Sequence, residues 1–309
     1  MDGVLVIDKP PGPTSHDVVA WARRVLREKR IGHTGTLDPL ATGVLPLVIG
    51  RATRLASLLS SAEKEYEASV RLGAATDTYD ATARLAAGGP PPTDPQIEPG
   101  QVEEALAGFR GTFEQMPPPY SAKKVGGIPG YRLARKNAPT TLSPVSVTVQ
   151  ELTLLGIESG LIRLRVVGSP GFYVRSLAHD LGVRLGCGGH LETLRRTRAG
   201  RFALDVAVRL EDLERDALLA ESRLVPIDAM LPDLPAVQLN ERGARKASHG
   251  NSLSSEDLAE TGPGPDLHRT AGQSGPGPGR VRLMDPDGRL LGIAESGADG
   301  LLRPSIVLV

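Results

Sequence analysis

Apolar and polar positions in this chain change period repeatedly, and each change marks an element. Val4 to Ile7 is an unbroken apolar run, so Gly3 to Asp8 reads as a strand ending at Pro10. Ser15 then stands where an N-cap belongs, and Val18, Val19, Ala22, Val25 and Leu26 form a helical stripe behind it. Leu55, Leu58 and Leu59 mark a second helix. Across residues 65–73 the period falls to two, which puts Tyr66, Ala68, Val70 and Leu72 on one strand face. Val102, Ala105, Leu106 and Phe109 suggest a short helix, and residues 145–155 and 161–167 read as strands. Val174, Leu177, Leu181 and Leu185 give a helix entered through Gly171. Near the end come a short helix, Asn240 to His249, and strands near Arg280–Met284, Leu290–Ala294 and Ser305–Val309.

The breaks between these elements carry information too. Gly88 to Gly100 is a Pro/Gly loop. Met116 to Pro144, rich in glycine and proline, reads as a long excursion from the fold, and long loops inside compact domains are usually functional. Met230 to Pro235 looks like a domain linker, and Gly262 to Gly279 is a Gly/Pro-rich insertion.

With 309 residues and 40% apolar content, the chain can bury one large core or two smaller ones. The N-terminal apolar run is too short, and too acidic in its flanks, for a signal peptide, and no stretch approaches a membrane span. Cys187 is the only cysteine, which excludes intrachain disulfides and cysteine-rich zinc sites. A cytoplasmic enzyme or RNA-binding protein fits. The formal net charge of zero argues against a nucleic-acid partner until its distribution is considered. Gln115 to Gln150 holds no Asp or Glu, while Lys123, Lys124, Arg132, Arg135 and Lys136 crowd its middle. Arg184, Arg195, Arg196, Arg198 and Arg201 form a second basic set, and acid gathers at Glu211, Asp212, Glu214 and Asp216. Such segregation can build a phosphate-binding face on a neutral protein.

The densest chemistry lies between Gly32 and Pro46, in the run Gly-His-Thr-Gly-Thr-Leu-Asp-Pro-Leu-Ala-Thr-Gly-Val-Leu-Pro. Asp38 precedes Pro39, whose ring disfavours αR geometry at the aspartate, so the carboxylate sits on a rigid loop and is presented rather than paired along a helix. Taken alone, such an Asp-Pro turn is more often structural, its aspartate capping a nearby amide. Viewed alone, Tyr66 is likewise a core tyrosine at a sheet edge, and Arg175 a phosphate contact or a surface pair.

This run resembles the catalytic motif of the TruB family, the pseudouridine synthases that modify uridine 55 in the T-loop of tRNA. Lys9 to Ser15 is similar to the family's opening turn, and Lys64-Glu65-Tyr66 to the segment carrying its tyrosine. Gly171 to Leu177 is similar to the segment carrying its arginine, and Gly189 to Thr197 to a further one. Five segments in order cover essentially residues 1–230. The resemblance implies an α+β fold, with a mixed, mostly antiparallel central sheet flanked by helices over residues 1–232. Residues 235–309 resemble a PUA module, a small β-rich RNA-binding domain, interrupted by the insertion at about 261–279.

By the same resemblance, Asp38 is the essential carboxylate, Arg175 its counter-ion, and Tyr66 the ring that stacks on uracil. Whether Asp38 attacks the sugar, attacks the base or promotes elimination stays open. Tyr173 would line the pocket, and Leu191, read as an apolar helix position, would pack on the base. Lys9 and Lys64 are assigned to substrate binding. His33 is the wedge that fills the space vacated by a flipped base. The excursion at about 115–144 would be the thumb that grips RNA through Lys123, Lys124, Arg132, Arg135 and Lys136. Isomerisation oxidises nothing and releases nothing, so no cofactor and no metal are expected. The expected partner of this monomer is tRNA, held at its T-arm. Two other readings compete: a nucleoside hydrolase, which needs a second carboxylate such as Asp77 or Asp80, and a non-catalytic protein that folds tRNA.

Overall fold

The computed structural model describes residues 1–83, 85, 95–121, 124–125, 128–129, 142–259 and 279–308. β1 (Gly3–Lys9) is buried along both faces: Leu5 and Ile7 enter one core, Val4 and Val6 a second. After it comes α1 (Ser15–Leu26), which lays Val18, Val19 and Ala22 on the first core. Its N-cap is Thr14, not Ser15: the Thr14 hydroxyl accepts from the Asp17 amide, and the Asp17 carboxylate accepts from the Thr14 amide. Either hydroxyl residue suits a cap. Thr14 takes the role because Ser15 is fully buried and occupied elsewhere.

The short β2 (Ile31–His33) leads through the Asp38 loop into β3 (Thr42–Ile49), whose alternation again splits between two cores: Leu45, Leu47 and Ile49 to one, Val44 and Val48 to the other. Then follow β4 (Lys64–Leu72), α2 (Pro99–Ala107), β5 (Gly111–Gln115), β6 (Val145–Glu158), β7 (Leu161–Gly168), α3 (Val174–Arg184) and β8 (Gly189–Ala199). The main sheet runs β1-β3-β8-β4-β7-β6-β5, with Val208–Arg209 beside β1 and β2 beside β3. It is antiparallel except where β3 meets β8 and β1 meets Val208–Arg209. That is the mixed, mostly antiparallel sheet the resemblance implies. β8 is the correction: Leu191 lies on a strand rather than a helix, because its segment alternates, with Leu191 and Leu194 buried either side of a register shift.

A second sheet closes the chain: β9 (Ala236–Gln238), β10 (Arg280–Met284), β11 (Leu290–Ser296) and β12 (Leu302–Val307), with α4 (Glu241–Ser248) between its first two strands. It has a small core of its own around Val237, Leu239, Val281 and Leu283. Leu290, Ile293 and Leu308 instead join Val4, Val6, Val44 and Val48 in the second core. The two sheets are therefore fastened together by buried apolar side chains, which explains why β1 and β3 are apolar on both faces. Most of the basic excursion and of the Gly/Pro-rich insertion lies outside the described residues.

Candidate active site

The Asp38 loop is held by the residues on either side of its carboxylate. The Ser15 hydroxyl accepts from the Leu37 amide at 2.8 Å and donates to the Leu37 carbonyl at 3.1 Å. The Pro39 carbonyl accepts from the Gly12 amide at 2.8 Å and lies 3.4 Å from Lys9 Nζ, which also donates to Pro10 O at 2.8 Å. The Ala41 amide donates to Asp38 O at 3.0 Å and closes the turn. These contacts give the Lys9-to-Ser15 turn its work: it fastens Leu37 and Pro39 and leaves the aspartate side chain to the pocket. Lys9 is fully buried, and that burial brings its pKa down to about 8 against the pull of Asp38. So Lys9 supports the loop from beneath and does not line the pocket.

Arg175, entering from the first turn of α3, stands between two carboxylates. Its Nε lies 2.8 Å from Asp38 Oδ2, a charge contact off the N–H axis. Nη2 donates to Asp38 Oδ1 at 3.3 Å and to the Tyr120 carbonyl at 2.9 Å. Nη1 donates to Thr78 O at 3.0 Å and faces Asp80 Oδ2 at 3.7 Å. Asp80 is itself engaged, its Oδ1 accepting from the Thr78 and Thr82 hydroxyls and the Thr82 amide. The loop bearing Thr78 and Asp80 is pinned to α3 by Tyr79, whose backbone is left-handed (φ 65°) and whose ring stacks on His179 at 3.8 Å. Asp80 is thus turned onto Arg175 and away from the pocket, and Asp77 is exposed. Neither is the second free carboxylate that a hydrolase needs.

Desolvation raises the pKa of Asp38 above the ordinary aspartate value; Arg175 opposes the rise and the Asp80 charge adds to it. About a third of the side chain (34%) stays open, and this open part belongs to the pocket wall. The pocket encloses about 270 Å³ between the Asp38 loop, β4 and the start of α3. Tyr66, Phe172, Tyr173 and Leu194 form its apolar walls, and Lys64 and Arg196 lie at its basic end. Lys64 Nζ donates to Ser60 O at 2.5 Å and Ala62 O at 2.6 Å; burial, and then Arg196, brings its pKa down to about 8. Tyr173 is fixed by Gln115, whose amide group accepts from Tyr173 N at 2.8 Å and donates to Tyr173 O at 3.1 Å. Burial also raises the Tyr173 phenol pKa.

Asp38, Tyr66, Tyr173, Arg175 and Lys64 therefore converge on one pocket. Leu191 does not: it is fully buried in the first core, and Leu194, three residues on, is the leucine that reaches the wall. His33 lies outside the pocket wall at the end of β2, edge-on to the His16 ring at 5.4 Å. Burial lowers its pKa to about 4, with His16 and Arg196 adding to the shift, so it is neutral near pH 7. The second basic set is already engaged within the protein. Arg195 pairs with Asp8 and Arg198 with Glu63; Arg184 and Arg201 donate to the Ala105 and Ala229 carbonyls, and Arg196 is buried. The side chains of Lys123, Lys124, Arg132, Arg135 and Lys136 lie outside the described residues. Sequence reasoning gave no positioning role to Gln115, Ser15 or Asp80, whose work depends on contacts 22 to 95 residues away along the chain. Among the described residues, no cluster of three or more His, Cys, Asp or Glu could hold a metal ion.

Residues 23–174 match the TruB family pseudouridylate synthase (N terminal domain). Residues 175–232 match the tRNA pseudouridylate synthase B C-terminal domain, and 235–308 the Pseudouridine synthase II TruB, C-terminal family. The tRNA pseudouridine synthase B of Solibacter usitatus (strain Ellin6076) is 46% identical over 100% of both chains. The enzyme of the same name from Aromatoleum aromaticum is 44% identical over 98% of this chain and 92% of its own. Among solved structures, a Cbf5-Nop10-Gar1 complex aligns with a TM-score of 0.74 and 26% identity, covering 99% of this chain and 85% of that one. An H/ACA RNP bound to a substrate RNA containing 2'-deoxyuridine aligns at 0.71 and 25% identity, with the same coverage.

Proposed function

This chain belongs to the TruB family of pseudouridylate synthases, and we propose that it isomerises uridine 55 in the T-loop of tRNA at the Asp38 pocket. Conversion of uridine to pseudouridine in tRNA follows from the family; the position and the residue roles are inferred from the motifs and the geometry. The observation that carries them is the Asp38–Arg175 ion pair, set in a pocket walled by Tyr66.

The reaction breaks the N1–C1′ bond, turns the uracil and forms a C5–C1′ bond, after which the C5 proton is lost and N1 gains one. A stacked base must first leave its loop, at a cost of a few kcal/mol. His33, neutral and beside the mouth of the Asp38 loop, suits insertion into the vacated stack better than pairing with a phosphate. Tyr66 and Leu194 would sandwich the flipped base, and Tyr173 would close its edge. Asp38, ionised and oriented by Arg175, takes the covalent or eliminating role, splitting one hard step into easier ones. Filling the pocket excludes water while the glycosidic bond is open, which suppresses hydrolysis.

The basic excursion at about 115–144 is proposed as the thumb on the T-arm. The second sheet, within residues 235–309, is proposed as a PUA-like module that holds remote parts of tRNA. We place the enzyme in the cytoplasm as a monomer; among the described residues no helix is long and apolar enough to cross a membrane. The decisive experiment incubates the protein with unmodified tRNA and maps pseudouridine by sequencing. A single new pseudouridine at position 55 supports the reading. Modification elsewhere, or released uracil, overturns it.

A further inference from the structure

Arg196 is a large side chain that the fold buries completely, at 1% exposure. Removing a guanidinium from water is costly unless its donors and its charge are met. Its donors meet only backbone carbonyls: Nε donates to Val44 O at 2.7 Å, Nη2 to Gly35 O at 3.1 Å, and Nη1 reaches Thr36 O at 3.5 Å. Among the described residues it pairs with no carboxylate, unlike its neighbours Arg195 and Arg198. The three carbonyls are not scattered. Gly35 and Thr36 lie just before Asp38 and Val44 just after it, so one planar fork grips both ends of the loop that carries the carboxylate.

The Arg196 backbone extends the same arrangement. On β8 it is registered with Gly43 of β3 on one side and with Tyr66 of β4 on the other. The approach to Gly43 is so close that a Cβ there would meet the Arg196 carbonyl oxygen at 2.2 Å, and Gly43 has a φ of +98°. One residue thus fixes the entry and exit of the Asp38 loop and sets both against the strand that bears the stacking tyrosine. Lysine could keep the charge but not the fork.

We propose that Arg196 is a positioning residue for the isomerisation, clasping both ends of the Asp38 loop so that the carboxylate is held in register with Arg175 and Tyr66. The inference rests on the reading that Asp38 is the reactive carboxylate. That reading is tested separately with Asp38→Asn, which must be inactive whatever Arg196 does.

The test compares Arg196→Lys and Arg196→Ala with the wild type for single-turnover rate and tRNA Kd, after circular dichroism and a melt establish that each is folded. A displacement on the order of 1 Å can cost about 10²-fold in rate. The expected result is a loss of about that size in both variants, with Kd within about threefold of wild type. Methylguanidinium, entering through the pocket that Arg196 lines, should restore about tenfold of the Arg196→Ala loss and none of the Asp38→Asn loss. An Arg196→Lys rate within about threefold of wild type overturns the proposal, as does a loss confined to Kd. Failure of rescue overturns it too. Unfolding of both variants would also overturn it, assigning Arg196 to the fold alone.

Discussion

Arg175 Nε lies 2.8 Å from Asp38 Oδ2, so the carboxylate proposed to react and its counter-ion are in direct contact. The two come from segments 137 residues apart and meet only because α3 enters the pocket opposite the Asp38 loop. Removing the negative charge while keeping the shape isolates its role. Asp38→Asn should reduce isomerisation by at least about 10³-fold while tRNA affinity changes by less than about threefold, as for any group needed only in the chemical step. Single-turnover kinetics with a filter-binding control checks this, and activity within tenfold of wild type contradicts it.

If Asp38 reacts as proposed, the same pair should set the acid limit of the enzyme. Burial raises the Asp38 pKa above the ordinary 3.8, and in the proposed mechanism the ionised form reacts. The single-turnover rate should therefore fall with decreasing pH through a midpoint above the usual aspartate value. Arg175 lowers that pKa, so Arg175→Met should move the midpoint further up as well as slow the reaction. A midpoint unchanged in Arg175→Met would show that the guanidinium does not hold the charge.

His33 should stay neutral across the physiological range. Its pKa of about 4 lies below the ordinary 6.5, so its ring signals in an NMR titration should be flat between about pH 5.5 and 8. The sign for stability follows. The unfolded chain binds the proton near 6.5 and the folded one near 4, so stability is lost as pH falls through that window. His33→Gln should lose less stability than wild type between pH 6.5 and 4 in urea melts.

Because Leu290, Ile293 and Leu308 share a core with Val4, Val6, Val44 and Val48, the two sheets should unfold together. Calorimetry should give one transition. Ile293→Ala, at a fully buried site in the second sheet, should cost about 2–5 kcal/mol and lower that single transition. Two separate transitions, only one of them shifted, would mean that the interface is weak.

Replacing Lys123, Lys124, Arg132, Arg135 and Lys136 with alanine should weaken tRNA binding and flatten its salt dependence. Each phosphate that is no longer neutralised takes roughly one unit from the slope of log affinity against log salt. An unchanged slope would show that these charges face solvent.

Much of this architecture was legible from local pattern. The buried run of β1, the stripe of α1 and the alternation of β4 each depend on neighbours along the chain, and Asp38 is conspicuous as the carboxylate before Pro39 in the run from Gly32 to Pro46. What could not be read is what depends on distant partners. Ser15 looks like a cap until Leu37 is seen to occupy its hydroxyl. Arg196 looks like one more surface cation until three carbonyls from the Asp38 loop and the strand after it close around it. Leu191 and Leu194 are equally apolar, and only the register of β8 against β4 decides which reaches the pocket.

The carbonyl of Tyr120 shares Arg175 Nη2 with Asp38. Tyr120 stands at the root of the basic excursion, so one nitrogen ties the proposed RNA grip to the carboxylate proposed to react. Two events that draw on the same donor are thermodynamically linked. If seating RNA moves Tyr120, the guanidinium it holds can turn further toward Asp38, and the carboxylate then becomes easier to ionise. Ionising Asp38 must then tighten RNA binding by the same free energy. In that case the affinity for tRNA would depend on proton concentration, even for phosphate contacts made far from the pocket.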